Sequence, residues 1–145
     1  MNGAYETGIL PALREDSREF WKYAQMHELR VQRCSSCRAF RWPPAPVCYV
    51  CRSFASHWVK TSGDGSLVSW VTYRRQYFVE FKPPYSVGLI ELTEGPRYPS
   101  LLVGAVPDGG WRSGMRMRVT FRAVQDRGGD RMLLPVFEAA RAAVP

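Results

Sequence analysis

The sequence predicts a mainly β protein, in which an N-terminal helix and a small metal-binding ribbon precede a C-terminal five-stranded barrel. Three observations support this prediction. Two Cys-x2-Cys pairs lie close together, the hydrophobic period changes to strict alternation after the second pair, and turn residues separate five alternating segments. We expect residues 1–30 to form an arm and the helix, residues 31–60 the ribbon, and residues 61–145 the barrel. With 145 residues, the chain has the length of one ordinary domain, or of a small module joined to a barrel.

The composition narrows the protein class. A hydrophobic share of 46% is sufficient for a sizeable core. The chain contains no run of about 18 apolar residues, so no segment is expected to span a bilayer. The N-terminal stretch MNGAYETGILPALRED lacks the basic start and the continuous apolar region of a secretory signal. We therefore expect a cytoplasmic protein that makes no contact with a membrane.

The stretch DSREFWKYAQMHELR predicts the helix, from about Ser17 to His27. Asp16 can cap its start, with Glu19 three residues later as in a capping box. Phe20 and Trp21 are adjacent, and neighbouring side chains on a helix point in different directions. Two interpretations follow. Either both rings pack on their own domain, or Trp21 is presented to a partner, as aromatic residues often are at interfaces.

All cysteines of the chain lie within the stretch CSSCRAFRWPPAPVCYVC. Cys34 and Cys37 form one Cys-x2-Cys pair, and Cys48 and Cys51 form the second. Two residues between thiolates allow a tight turn to present both sulfurs to one ion, and two such turns complete a tetrahedral site. The three prolines between the pairs disfavour a helix and suit a stiff connection. The spacing therefore predicts one metal ion held by four thiolates.

Zinc is the metal that this pattern predicts, and iron, which takes the same ligands in a rubredoxin-like site, remains an alternative. Disulfides are disfavoured in a reducing compartment. A redox Cys-x2-Cys motif would place its thiols at the start of a helix, whereas prolines follow here. Four thiolates leave no open position, so the metal is expected to be structural. We interpret His57 as an ordinary histidine at the start of a strand, because the ligand set is complete without it.

The five alternating segments predict the barrel strands. Met115 to Phe121 alternates most regularly, and Pro135 requires a position at an edge or at the barrel rim. Five strands with turn residues at short intervals suit a small Greek-key barrel of the OB type. The predicted strands cover residues 66–73, 86–92, 98–106, 115–121 and 131–139.

The order of motifs resembles a known family. An FW helix, C-x2-C, PP, C-x2-C, G-x-G, PYSVGLIELTEG, SGMRMRVTF and LPVF follow one another between Phe20 and Phe137. This order resembles the acyl-CoA-associated family in which a rubredoxin-like zinc ribbon is fused to an OB fold. Arg38 and Arg52 depart from the family pattern, which often has glycine after each Cys-x2-Cys pair. The resemblance implies an accessory subunit that docks on a thiolase-fold enzyme, such as an acyl-CoA thiolase, an acyltransferase or a steroid side-chain aldolase. It also implies a CoA thioester shared with that partner.

The residues themselves indicate no reaction. Acyl transfer needs a nucleophilic cysteine with a histidine base, and all cysteines are assigned to metal. The two histidines, His27 and His57, have no acidic neighbour in a suggestive context, and the chain has no glycine-rich phosphate loop before a lysine. We therefore expect a protein without catalytic residues, which is no enzyme on its own.

The charge leaves two binding functions to compare. Twenty Lys and Arg against thirteen Asp and Glu give a net charge of +7. A basic OB barrel with aromatic residues also suits single-stranded nucleic acid, which is the alternative interpretation. The basic residues are scattered, however, and we favour a hetero-oligomer with the thiolase-fold enzyme. The stretch RRQYFVEFKPPY joins cations for phosphates to aromatic rings. The candidate CoA or partner contacts are Trp21, Arg74, Arg75, Phe78 and Lys82.

Overall fold

The computed structural model describes residues 6–141, so the predicted arm is described only from its sixth residue onward. One helix and nine strands occur in this part of the chain. They are β1 (Glu6–Thr7), α1 (Arg18–Gln25), β2 (Arg30–Cys34), β3 (Phe40–Arg41), β4 (Ser56–Lys60), β5 (Asp64–Tyr73), β6 (Tyr85–Leu92), β7 (Arg97–Val103), β8 (Arg116–Gln125) and β9 (Arg131–Ala139). The prediction of a mainly β protein is confirmed.

Helix α1 is shorter than its pattern predicts. Ser17, and not Asp16, is the N-cap residue, and no side-chain hydrogen bond caps the helix start. The helix ends early because His27 adopts a left-handed conformation with φ of 58°, while its N–H donates to the carbonyl of Ala24 at 3.0 Å. This is a usual way to end a helix, although glycine is the common residue there. The capping prediction for Asp16 was therefore wrong.

The ribbon is a three-stranded antiparallel sheet with strand order β3-β2-β4. Strand β2 ends at Cys34, which is paired with Ser56 at the start of β4. The first Cys-x2-Cys turn therefore begins where β2 ends. The second precedes β4, so the sheet brings both turns to one end of the ribbon.

The second sheet has six strands in the order β1-β8-β5-β6-β7-β9, and β8 also pairs with β9. The five longer strands thus pair in a closed circuit, in which β7 and β9 run parallel. The five predicted barrel strands all occur. Strand β1, which pairs in parallel with β8 over two residues, was not predicted, because two residues carry no detectable alternation. Pro135 lies opposite Phe121, before the short β7–β9 ladder starts at Phe137.

Two positions near the start of β5 require glycine, one in the preceding turn and one in the strand itself. Gly63 has φ of 80°, which side-chain-bearing residues rarely adopt. A Cβ atom at Gly65 would lie 2.6 Å from the carbonyl oxygen of Glu91. The G-x-G motif therefore allows β5 to approach β6 closely where the ribbon passes into the second sheet.

One hydrophobic core joins the helix, the ribbon and the second sheet. Phe20 of α1 is fully buried, and its ring centroid lies 4.3 Å from that of Trp42 and 6.3 Å from that of Tyr98. The same cluster includes residues of β2, β5, β6, β7, β8 and β9: Val31, Leu67, Ile90, Leu92, Leu102, Met117 and Phe137. The division near Lys60 stays a prediction, and the three predicted segments share this core.

A side-chain amide fixes α1 to β9. The N–H of Leu133 donates to Oε1 of Gln25 at 2.9 Å, and Nε2 of Gln25 donates to the carbonyl of Leu133 at 3.2 Å. The glutamine thus satisfies both backbone groups of one residue of β9. Between residues 6 and 141, no helix is long and apolar enough to cross a membrane.

Candidate metal centre and partner surface

The two Cys-x2-Cys turns have the same backbone geometry. In the first turn, the N–H of Arg38 donates to the carbonyl of Cys34 at 3.0 Å, and the N–H of Cys34 donates to Ala39 at 2.9 Å. In the second turn, the bonds from Arg52 to Cys48 and from Cys48 to Ser53 have the same offsets and the same lengths. The ribbon therefore contains two equivalent knuckles. We call residues 34–40 the first knuckle and residues 48–54 the second knuckle.

The four cysteine sulfurs lie close enough together to bind one metal ion. They lie within 4.8 Å of one another. The Sγ atoms of Cys34 and Cys51 are 3.6 Å apart, as are those of Cys37 and Cys48. A tetrahedron with metal–sulfur bonds of about 2.3 Å has edges of about 3.8 Å, so the sulfur positions fit a four-thiolate metal ion. Two of the sulfurs belong to buried residues and two to exposed ones.

Backbone donors favour thiolates in the knuckles. The N–H of Cys37 points at the sulfur of Cys34 and lowers the pKa of Cys34 to about 6. The corresponding backbone group of Cys51 lowers the pKa of Cys48. For Cys37, the backbone of Ala39 also favours the thiolate, but desolvation and the neighbouring thiols outweigh it and raise the pKa to about 12. Four thiolates at this distance therefore need a cation among them, which is the chemistry of a metal site.

Arginine follows each Cys-x2-Cys pair in this chain, where glycine would be expected, and the knuckles are not disturbed by it. Arg38 and Arg52 have φ of 66° and 64°, the left-handed conformation that glycine adopts without cost. Both arginines keep the backbone hydrogen bonds described above. The knuckles therefore keep their geometry with arginine at these positions.

His57 lies beside the metal site but outside its ligand group. Its Nδ1 is 3.2 Å from Oγ of Ser35. Within the described residues, the group of side chains that can hold a metal consists of Cys34, Cys37, Cys48 and Cys51 alone. His57 thus contacts the first knuckle through Ser35.

The predicted contact residues fall in two places. Arg74, Arg75, Phe78 and Lys82 are exposed in the loop between β5 and β6. Trp21 is half-buried on α1, where its ring packs edge-on against Phe20 at 4.8 Å and contacts the shared core. The four loop residues therefore share one loop, and Trp21 lies on a different element.

The loop carries more apolar surface than the sequence prediction named. Phe78 is 55% exposed, Tyr77 64% and Val79 70%, and the end of β5 adds further exposed apolar residues. We call this set the loop patch. Its exposed members are Trp70, Val71, Tyr73, Tyr77, Phe78 and Val79.

Stacked rings support the loop patch from beneath. The rings of Tyr73 and Tyr85 stack with centroids 4.9 Å apart, and Phe81 lies 5.5 Å from Tyr85. Phe78 in turn lies 6.2 Å from Phe81. These contacts hold the two strand ends and the loop together. Ring contacts therefore connect Tyr73 and Phe78 of the loop patch to Phe81 and Tyr85.

A cleft opens next to the loop patch. It has a volume of about 520 Å³. Phe81 and Lys82 of the loop and Tyr85 at the start of β6 face β7 and β8 across it. Arg122 in its wall pairs with Glu6 of β1, and burial lowers the pKa of its guanidinium. Arg127 pairs with Glu80 at 2.9 Å. No ion pair is recorded for Lys82 among the described residues, so its charge is available to a ligand or partner.

The two histidines contact groups other than carboxylates. His27 packs against the ring of Phe121 at 5.3 Å, and His57 meets Ser35. Neither forms a hydrogen bond to a carboxylate in the part of the chain that the structure describes. The arrangement therefore offers a metal centre and an apolar, basic surface.

Comparison with known proteins assigns both parts of the chain. Residues 21–56 match the family model described as "ChsH2, rubredoxin-like zinc ribbon domain". Residues 58–122 match "ChsH2, C-terminal OB-fold domain". The chain is 34% identical over 137 residues to a "Probable enoyl-CoA hydratase alpha subunit" of Thermomonospora curvata. That match covers 93% of this chain and 40% of the relative, so the chain spans less than half of the relative's length.

Two further similarities cover most of this chain and most of the similar protein. A "DUF35 domain-containing scaffold protein" of Methanothermobacter thermautotrophicus is 31% identical over 114 residues, covering 76% of this chain and 84% of the relative. The solved structure "Ltp2-ChsH2(DUF35) aldolase" superposes with a TM-score of 0.80 at 34% identity, covering 91% of this chain and 100% of that chain. The zinc ribbon, the OB fold and the family resemblance are thereby confirmed. The chain belongs to the DUF35 family, in which the ChsH2 members join a rubredoxin-like zinc ribbon to an OB-fold domain.

Proposed function

We propose that this chain is a non-catalytic accessory subunit that docks on a thiolase-fold enzyme and supports its carbon–carbon bond chemistry on acyl-CoA substrates. The observation that carries the proposal is the loop patch, in which six apolar residues are exposed. Arg74, Arg75 and Lys82 are exposed on the same loop. Monomeric proteins seldom expose so many neighbouring apolar side chains without a partner to cover them. Two similar proteins are named as an enzyme subunit and as part of an aldolase, which supports a role inside a hetero-oligomer.

A thioester of CoA is the ligand that we propose for the cleft beside the loop patch. CoA combines phosphates with a long flexible arm, and its acyl group is often apolar. Lys82 supplies a cation, and Phe81, Tyr85 and Leu101 supply an apolar wall. The cleft is open along one side, so a partner could complete it and share the ligand. Arg74 and Arg75 are exposed on the same loop and suit either phosphates or an acidic partner surface.

The remaining parts of the proposal concern the support for this surface. We propose zinc in the four-thiolate site, because zinc prefers tetrahedral sulfur ligands and needs no redox change. We propose that β5 to β9 are the five strands of the OB barrel, because they pair in a closed circuit. A contact between Trp21 and the partner stays a prediction, as does the cytoplasmic location.

The loop patch can be tested by one substitution. Phe78→Ala is expected to weaken the complex by about 2 kcal/mol, or roughly 30-fold in Kd, if Phe78 is an interface hot spot. The measurement is a titration of the purified partner with wild-type and variant chains. Leu13→Ala is the matched control, because Leu13 is 56% exposed and Phe78 is 55% exposed. Equal affinities for the two variants would contradict the role of the loop patch.

The whole complex gives a first test of the proposal. Co-expression with a thiolase-fold enzyme from the same genome is expected to yield one peak in size-exclusion chromatography. The chain alone is expected to self-associate or adsorb, because its loop patch is uncovered. Separate elution of the two proteins at micromolar concentration would contradict the proposed function.

A further inference from the structure

The second knuckle presents an apolar surface of its own. Tyr49 is 70% exposed, Val50 is 57% exposed and Phe54 is 78% exposed. Tyr49 and Val50 are the two residues between Cys48 and Cys51, and Phe54 follows three residues later. We call these three residues the knuckle patch. They lie in the segment between β3 and β4 of the ribbon, whereas the loop patch lies at the end of β5 and in the loop that follows it.

The first knuckle provides an internal comparison for these residues. Ser35 and Ser36 occupy the positions that correspond to Tyr49 and Val50. Both knuckles make the same backbone hydrogen bonds and place their sulfurs equivalently. Two serines therefore suffice to form a knuckle and to bind the metal. The apolar side chains of the second knuckle are not required by the fold.

The aromatic residues of the two knuckles differ in the same way. Phe40 of the first knuckle is half-buried, and the guanidinium of Arg33 covers its ring at 4.6 Å. Phe54 occupies the corresponding position in the second knuckle. Its ring has no recorded cation or ring contact within residues 6–141. The protein thus covers one of two equivalent rings and leaves the other exposed to solvent.

The ribbon around the knuckle patch is positively charged. Residues 29–63 contain six Lys and Arg residues and no Asp or Glu. Four thiolates around a divalent ion leave two negative charges, so the segment keeps a net charge of about +4. Arg30 and Lys60 pair with Glu28, and Arg41 is buried. Arg52, directly after Cys51, is exposed and has no recorded ion pair in the described part of the chain.

We propose that the knuckle patch is a second docking site, which binds an acidic surface with apolar side chains on the same partner enzyme. This inference rests on the proposed function for the identity of the partner. Charge complementarity selects an acidic surface, and the exposed Tyr, Val and Phe residues supply apolar anchors. A protein is favoured over a nucleic acid because an aliphatic residue lies in the patch. In addition, three of the six cations of residues 29–63 are paired with Glu28 or buried. Grooves for single strands need cations along their length.

The direct test transfers the first-knuckle sequence to the second. The double variant Tyr49→Ser, Val50→Ser is expected to keep the wild-type metal content and thermal stability. The affinity of this double variant for the purified partner is expected to fall about tenfold or more. In a separate variant, Arg52→Asn, the affinity is expected to depend less on salt concentration than it does in wild type. Asparagine is chosen because it tolerates the left-handed conformation of Arg52. Ser36→Ala in the first knuckle is the control and should leave the affinity unchanged.

Each alternative outcome is distinguishable. If the double variant binds the partner as tightly as wild type while Phe78→Ala binds weakly, the knuckle-patch inference is overturned and the proposed function stands. If wild type does not bind the partner, both are overturned. A fluorescent 15-nucleotide oligothymidylate that binds wild type and not the double variant would show a nucleic-acid site instead. A concentration-dependent dimer lost in the double variant would show self-association instead.

Discussion

Replacing Cys48 with serine is expected to release the metal and to unfold the ribbon. Cys48 is buried, and its sulfur lies 3.6 Å from that of Cys37 across the proposed metal position. Structural zinc in isolated zinc-finger peptides contributes on the order of 10 kcal/mol, and a four-thiolate site with one ligand removed loses much of this. Val31 of the ribbon belongs to the shared core, so the barrel is expected to lose stability as well.

The measurement is elemental analysis of protein purified without chelator, followed by circular dichroism during thermal unfolding. Wild type is expected to contain one zinc per chain. His57→Ala is the control, because its side chain lies beside the site and outside the ligand group. The variant Cys48→Ser retaining a full equivalent of metal would refute the assigned ligands. Iron found in place of zinc would support the ligands and correct the metal.

Replacing Phe20 with alanine is expected to lower the free energy of unfolding by about 3–5 kcal/mol. Phe20 is fully buried and contacts aromatic rings from three parts of the chain, with Trp42 at 4.3 Å, Trp58 at 6.5 Å and Tyr98 at 6.3 Å. The cavity left by the ring would lie between α1 and the two sheets. The sheets cannot fill this cavity unless the helix moves.

Urea unfolding followed by tryptophan fluorescence measures this loss. The matched control is Met26→Ala, at the end of the same helix, where the side chain is 53% exposed. Its effect should be below about 0.5 kcal/mol. Similar decreases in the free energy of unfolding for Phe20→Ala and Met26→Ala would mean that Phe20 does not join the helix to the two sheets. Two separate unfolding transitions in wild type would contradict a single shared core.

The metal centre was the part of this protein most accessible from sequence. Two residues between paired cysteines leave few backbone conformations that bring both sulfurs to one point, so spacing alone predicts the ligand group. The strands β5 to β9 could also be predicted from the sequence. One face of each strand packs on the core, so apolar residues occur at every second position. The strand over residues 131–139 was predicted with the bounds that the structure has.

Other features left little trace in the pattern of residues. Strand β1 has two residues, and its pairing with β8 depends on a distant part of the chain. The helix cap is Ser17 and not Asp16, and the N–H of Ser17 donates to the carbonyl of Arg14 at 3.2 Å in the preceding turn. The pairing of β1 with β8 is a long-range contact, which local residue patterns do not show.

The loop patch was recognised only in part. The prediction named Phe78 and the neighbouring cations, but it missed Trp70, Val71 and Tyr73 at the end of β5. The stretch WVTY has the alternation of a strand, and such a pattern indicates burial of one face. Here the strand extends beyond the core, and its exposed residues continue the surface of the loop. Only the three-dimensional position of the core distinguishes a strand with one buried face from a strand end that extends beyond the core.

The central proposal is that a thiolase-fold enzyme depends on this chain. The most direct measurement is the rate of carbon–carbon bond cleavage or formation on acyl-CoA substrates by that enzyme, assayed alone and with increasing amounts of this chain. We predict that activity rises with added chain and saturates at a fixed ratio, and that Phe78→Ala shifts the titration to higher concentration. A partner that is fully active alone, and whose rate does not change when this chain is added, would contradict the accessory-subunit function.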